Sequence, residues 1–148
     1  MEIQPDFKEL FRLFNAHSIR YIIVGSYALA FHGAPRFTGD IDILVKPDPE
    51  NADKIMRALN DFGFGSVGLE ESYFLSPDNI IQLGYPPVRI DLITSISGVD
   101  WDTAEQGCVP GQYGEVPVRY LGKKEFILNK RSTNRKKDLA DLEALGEI

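Results

Sequence analysis

The chain has 148 residues, 43% hydrophobic and 26% charged, with a formal net charge of −6. That length suits one domain with its own core, and the composition is that of a soluble globular protein. No apolar run approaches the roughly 20 residues of a membrane span, the polar N-terminus does not read as a signal peptide, and the single cysteine, Cys108, excludes a disulfide framework and a cysteine-rich zinc site. The first predicted element is a helix over residues 5–17, where Phe7, Leu10, Phe11 and Phe14 recur at helical spacing. Residues 21–24 form an apolar, β-branched run read as a buried strand, which Gly25-Ser26 ends. Residues 28–31 favour a short helix that His32-Gly33-Ala34-Pro35 stops. Residues 40–45 are the next strand, and Pro47-Asp48-Pro49 is a turn and helix start. The helix over 51–62 turns Ile55, Met56, Leu59 and Phe62 inward and closes at Gly63.

Residues 64–78 fit no single period and leave room for a short edge strand. Residues 80–83 and 88–93 read as a hairpin about Gly84-Tyr85-Pro86-Pro87. Residues 98–114 read as irregular, with a short helix near Trp101, and 116–121 as extended. Helices over 123–130 and 135–145 end the chain, the second with Leu139, Leu142 and Leu145 on one face. There is no internal repeat, low-complexity tract or linker. The pattern predicts an α+β fold, a mixed β-sheet flanked by helices with further helices at the C-terminus, in a single domain over 1–148.

The acidic balance argues against a general nucleic-acid coat and, with the other features, fits a cytoplasmic protein with no membrane association. The charge is unevenly spread. Lys123, Lys124, Lys130, Arg131, Arg135, Lys136 and Lys137 face only Glu125 within residues 123–137, so that segment carries +6 and the remainder −12. Such asymmetry fits either an anion held by the C-terminal segment or a solvated basic helix face.

Two aspartates, Asp40 and Asp42, flank Ile41 in the second strand. Side chains alternate along a strand, so the two carboxylates point the same way about 7 Å apart, while Ile41 and Ile43 face a core. Carboxylates side by side repel, and a cation between them relieves the repulsion; hard oxygen donors select Mg²⁺ or Mn²⁺. Asp91, in Arg89-Ile90-Asp91-Leu92-Ile93, has the same setting. If its strand neighbours that of Asp40 and Asp42, three acids converge and suit two-metal phosphoryl or nucleotidyl transfer. Asp-Ile-Asp alone fits two surface acids equally well. Gly25-Ser26 lies between a buried strand and a helix, where backbone N–H groups hold phosphate oxygens, and Gly25 lets the backbone approach closely. Ser26 suits either a phosphate donor or an N-cap. No Gly-Lys-Ser/Thr follows, so this is not a Walker loop.

These pieces, in this order, resemble the nucleotidyltransferase superfamily, the DNA polymerase beta-like group. The match runs through Val24-Gly25-Ser26, a thirteen-residue gap (27–39), Asp40-Ile41-Asp42 and then Asp91. More narrowly the chain resembles the AbiEii-type and minimal bacterial nucleotidyltransferases found beside toxin–antitoxin systems. Arg36-Phe37-Thr38 matches the Arg-x-Thr of that subgroup, and Lys130, Arg135, Lys137, Asp138 and Asp141 match its C-terminal pattern. The resemblance covers most of residues 20–145; Arg131-Ser132-Thr133-Asn134 departs from it in being polar.

The resemblance implies transfer of a nucleoside monophosphate from an NTP, with release of pyrophosphate, to an acceptor such as tRNA, a protein or a small molecule, with a cognate toxin or antitoxin as partner. It implies Mg²⁺ or Mn²⁺ on Asp40, Asp42 and Asp91, with Asp91 also activating the attacking oxygen. Gly25 and Ser26 would hold the β,γ-phosphates, and Lys130 and Arg135 would neutralise triphosphate charge. Arg36, Thr38 and Lys137 complete the nucleotide-binding set. Arg135 with Asp138 fits a surface ion pair as well as a phosphate contact. Two other readings remain: a non-catalytic nucleotide- or partner-binding module on the same fold, and a glycosyltransferase holding a sugar-nucleotide metal on Asp-x-Asp, which leaves Gly25-Ser26 without a role.

Overall fold

The computed structural model describes residues 3–34, 39–64, 68–85 and 88–147. Helix α1 (Pro5–Ala16) starts with proline in its first turn, and its Phe7, Leu10, Phe11 and Phe14 are all fully buried. Each such side chain is worth roughly 2 kcal/mol on leaving water. Strand β1 (Tyr21–Val24) passes directly into α2 (Gly25–Phe31), and β2 is Asp40–Val45. Helix α3 (Pro49–Leu59) is capped by Asp48, whose side chain accepts the Asn51 N–H at 2.7 Å. Strands β3 (Ile80–Tyr85) and β4 (Val88–Ile93) are antiparallel and pair Tyr85 with Val88. Helix α4 (Trp101–Gly107), strands β5 (Val109–Tyr113) and β6 (Val116–Tyr120), and helices α5 (Lys123–Thr133) and α6 (Lys136–Ala144) complete the order.

The six strands form one mixed sheet in the order β3-β4-β2-β1-β6-β5. This is the α+β architecture predicted. β1 is antiparallel to β2 and parallel to β6, and β2 is parallel to β4. Both faces are covered. Ile23, Ile41, Ile43, Ile90 and Leu92 pack with α1 and α3 on one side, whereas Ile22, Val24 and Leu44 pack with Ala104 and Phe126 on the other. Alternation therefore places Asp40, Asp42 and Asp91 on the α4–α5 side, because Ile41, Ile90 and Leu92 between and beside them belong to the opposite core.

Three expectations are corrected. Residues 60–64 continue α3 as a wide turn, and 71–74 form a single 3₁₀ turn, so no edge strand lies among the described residues of 64–78. β5 occupies part of the stretch read as irregular. Pro110 and Gly111 mask its strand pattern, and both are tolerated because β5 is the sheet edge. Gly111 lies under Tyr120, where a Cβ would come within 2.8 Å of the ring. Finally, Leu139 is exposed, and the buried positions of α6 are Asp138, Asp141 and Leu142. That stripe has helical spacing, but two of its members are acids, so apolar periodicity misses it. Among the described residues no helix is long and apolar enough to cross a membrane.

Candidate active site

The site begins where β1 ends. Val24 pairs with Asp42 across β1 and β2, so Gly25 emerges beside the Asp42 carboxylate. Gly25 has φ +65°, and a Cβ there would stand 2.4 Å from Asp42 Oδ2 and 3.2 Å from Asp42 Cβ. The backbone conformation favours glycine, and the close approach leaves no room for a Cβ unless the Asp42 side chain shifts. Ser26 follows in the first turn of α2; the N-cap position is held by Val24 without a side-chain cap, so Ser26 is not an N-cap. Gly25→Ala is expected to cost about 1–3 kcal/mol from the left-handed backbone and the crowding. It should also push the Asp42 carboxylate aside, lowering the melting temperature and any nucleotide-dependent activity together. Unchanged melting would show that the turn relaxes freely.

β2 and β4 run parallel in a register that sets Asp42 beside Asp91 and Asp40 beside Arg89. The third acid thus comes alongside the Asp-x-Asp pair. Asp91 is 7% exposed, whereas Asp40 and Asp42 are partly exposed. The Asp42 carboxyl is pushed up to about 6, first by burial and then by the charge and hydrogen bond of Asp91, with Lys137 pulling it back. Arg89 joins the acids: its Nε and Nη2 donate to Asp91 Oδ1 and Oδ2 at 2.8 and 3.1 Å, and its Nη2 lies 3.1 Å from Asp40 Oδ2.

A cleft of about 440 Å³ opens on this face, bounded by Gly25, Asp42, Asn129, Lys130, Thr133 and Arg135 and by the 78–80 and 95–97 segments. The α5–α6 corner is built on Asp138, which is fully buried. Its carboxylate accepts from Arg135 N–H at 3.1 Å, Arg135 Nε at 2.9 Å and Thr133 Oγ1, and pairs with Lys130 Nζ at 3.3 Å. Lys130 also pairs with Asp141 at 3.6 Å and lies 5.3 Å from the Phe126 ring centroid. Asn134, with φ +50°, turns the chain between the two helices. The polar 131–134 run thus extends α5 to Thr133 and closes the corner.

Gly25, Asp42, Lys130 and Arg135 therefore line one cleft. Asp91 and Asp40 adjoin it through the strand pairing, and exposed Lys137 lies near enough for its charge to act on Asp42. Arg36 and Thr38 lie outside the described residues. Sequence reasoning gave no role to Arg89, although its place two residues before Asp91 on one strand puts both on the same face. Nor did it give one to Thr133.

The carboxylate oxygens suit a hard divalent cation, and the Asp42 carboxyl is raised first by its burial and then by the neighbouring Asp91. Among the described residues, no group of three or more His, Cys, Asp or Glu side chains stands close enough to hold an ion in the present arrangement. Arg89 engages both oxygens of Asp91 and one of Asp40 instead.

The fold has known counterparts. Over 99% of this chain and 94% of theirs, it superposes on a nucleotidyltransferase candidate from Thermotoga maritima, TM1012, with a TM-score of 0.61 at 14% identity. It matches the lincosamide antibiotic adenylyltransferase LnuA, solved with lincomycin bound, with a TM-score of 0.57 at 12% identity, over 100% of this chain and 99% of that one. The antibiotic-resistance factor ANT(2'')-Ia gives 0.58 at 13%, over 95% and 80%. The chain has the nucleotidyltransferase fold. No protein-family model matches the sequence, and no curated protein matches it.

Proposed function

We propose that this chain is a metal-dependent nucleotidyltransferase, acting as one domain, that moves a nucleoside monophosphate from an NTP to an acceptor and releases pyrophosphate. The observation that supports this best is the pairing of Asp42 with Asp91 beside the positive-φ turn at Gly25, next to a cleft bounded by Lys130 and Arg135. Gly25 and Ser26 bring backbone N–H groups to the β,γ-phosphates, and Arg135 and Lys137 offset their charge; Lys130 adds to this field from within its pairs with Asp138 and Asp141. Asp40, Asp42 and Asp91 would hold Mg²⁺ or Mn²⁺, which supplies charge stabilisation at the α-phosphate and the leaving pyrophosphate. The acceptor oxygen bonds to the α-phosphorus, the bond to the bridging oxygen breaks with its electron pair going to pyrophosphate, and Asp91 takes the acceptor proton. Arg36 and Thr38 enter as nucleotide contacts on the sequence pattern alone.

The test is incubation with each α-labelled NTP, Mg²⁺ or Mn²⁺, and acceptor panels of tRNA, proteins and small alcohols. Label transfer with matching pyrophosphate is expected; no pyrophosphate from any NTP would overturn the reading. Small hydroxylated acceptors belong in the panel because LnuA, similar along its whole length, is solved with lincomycin. An AbiEii-type role beside a toxin or antitoxin partner rests on the Lys130-to-Asp141 pattern, and an adjacent small partner gene would support it. The saturation of Lys130 by two buried acids favours a second reading, a non-catalytic nucleotide or partner binder. NTP binding without turnover in any panel would favour that reading.

A further inference from the structure

We propose that Arg89 is a resident counter-ion of the acid cluster, which a divalent cation must displace, so that metal affinity is set by competition with its guanidinium. This rests on the carboxylate-site reading above. The placement follows from the sheet. Arg89 and Asp91 are two apart on β4 and so share a face, and the β2–β4 register sets Arg89 beside Asp40. The planar guanidinium spans both acids, with two hydrogen bonds to Asp91 and one contact to Asp40, all between 2.8 and 3.1 Å. This is the fork geometry that a carboxylate accepts best.

The oxygens Arg89 uses are those a metal would need. A carboxylate oxygen engaged by a guanidinium is less available to a cation, and two positive groups at one cluster repel. Among the described residues Lys130 is held by Asp138 and Asp141, and Lys137, exposed on α6, acts on Asp42 through its charge, whereas Arg89 spans Asp91 and Asp40 by direct contact. The Arg89 side chain is 24% exposed against 10% for that of Asp91, so the guanidinium has a way out to solvent whereas the acid stays in place. Before metal arrives, Arg89 keeps the repelling acids together. Once it leaves, the cation takes over that task and the arginine carries its charge to the rim of the site.

The test uses the full chain, stripped of metal, titrated with MnCl₂ by calorimetry as wild type, Arg89→Met and Arg89→Lys, with melting curves in chelator and in Mn²⁺. Arg89→Met is expected to bind Mn²⁺ up to about fivefold tighter, the scale of losing one partly exposed competing pair. It should melt lower than wild type in chelator and gain more from Mn²⁺. If Arg89→Met does not fold without metal, Arg89→Lys, which keeps the charge but loses the fork, carries the test with a smaller gain in affinity. Mn²⁺ affinity equal to or weaker than wild type in the folded variants overturns the counter-ion role. If wild type still transfers label in that case, the nucleotidyltransferase reading stands. Absence of Mn²⁺ binding in all three proteins overturns the competition, and absence of pyrophosphate release as well overturns both.

Discussion

Asp42→Asn is expected to abolish nucleotidyl transfer, by about a thousandfold or more, while leaving the fold at least as stable as wild type. The activity loss follows if Asp42 holds the cation that stabilises transition-state charge, a contribution of several kcal/mol. The stability expectation follows from the local electrostatics. Burial, then the charge and hydrogen bond of Asp91, push the Asp42 carboxyl up to about 6. Relative to the unfolded chain, the folded state therefore favours the protonated acid by on the order of 2–3 kcal/mol. That preference stabilises the fold fully below the unfolded carboxylate value near 4 and is lost as pH rises through about 6. In chelator at pH 7.5 the asparagine variant should then melt at or above wild type, and the gap should close below about pH 4. Asp53→Asn, at an exposed i,i+4 pair with Arg57 on α3, is the matched control and should leave transfer unchanged. Full transfer activity in Asp42→Asn would sink the assignment, and a large drop in melting temperature at pH 7.5 would sink the account of its pKa.

The legible part of this molecule was written in local patterns. The α1 face, the buried β1, and the alternation that turns Asp40 and Asp42 away from Ile41 and Ile43 all follow from periodicity within one element. The Gly25 turn was legible as a site of close approach, and the structure adds what it approaches, the Asp42 carboxylate. Register is different. That β4 lies parallel to β2, with Asp91 beside Asp42 and Arg89 beside Asp40, depends on contacts roughly fifty residues apart that no local pattern encodes. Hydrophobic periodicity also failed on α6, where the face turned inward carries Asp138 and Asp141. Buried acids look like surface acids in a sequence until their partner, here Lys130 on another helix, is known. β5 was hidden for a third reason: Pro110 and Gly111 weaken a strand pattern except at a sheet edge, and edges are defined only by the finished sheet.

Asp138→Ala is expected to destabilise the chain by about 3–5 kcal/mol at pH 7, the cost of leaving buried ionic partners unpaired. Asp138 is fully buried and Lys130 is 6% exposed, so neither recovers its lost interactions from water. Arg135 loses less, because its side chain is largely exposed. Burial pushes the Asp138 carboxyl upward, but hydrogen bonds from Arg135, from Thr133 and from the Arg135 backbone N–H, with the charge of Lys130, outweigh it. They hold the group well below the ordinary carboxylate range. The stabilisation is therefore present above the unfolded value near 4 and is lost as pH falls below it. Urea unfolding of wild type should show this loss between about pH 5 and pH 2, and the alanine variant should lack that part of the slope. Asp138→Asn keeps an acceptor for Arg135 and Thr133 without the charge, and should fall between the two. Because the same carboxylate fixes the α5–α6 corner that aims Lys130 and Arg135 at the cleft, the variants should weaken NTP binding in the order of their instability. A loss below about 0.5 kcal/mol at pH 7, the scale of an ordinary surface substitution, would mean that the corner is held by its helices rather than by its charges.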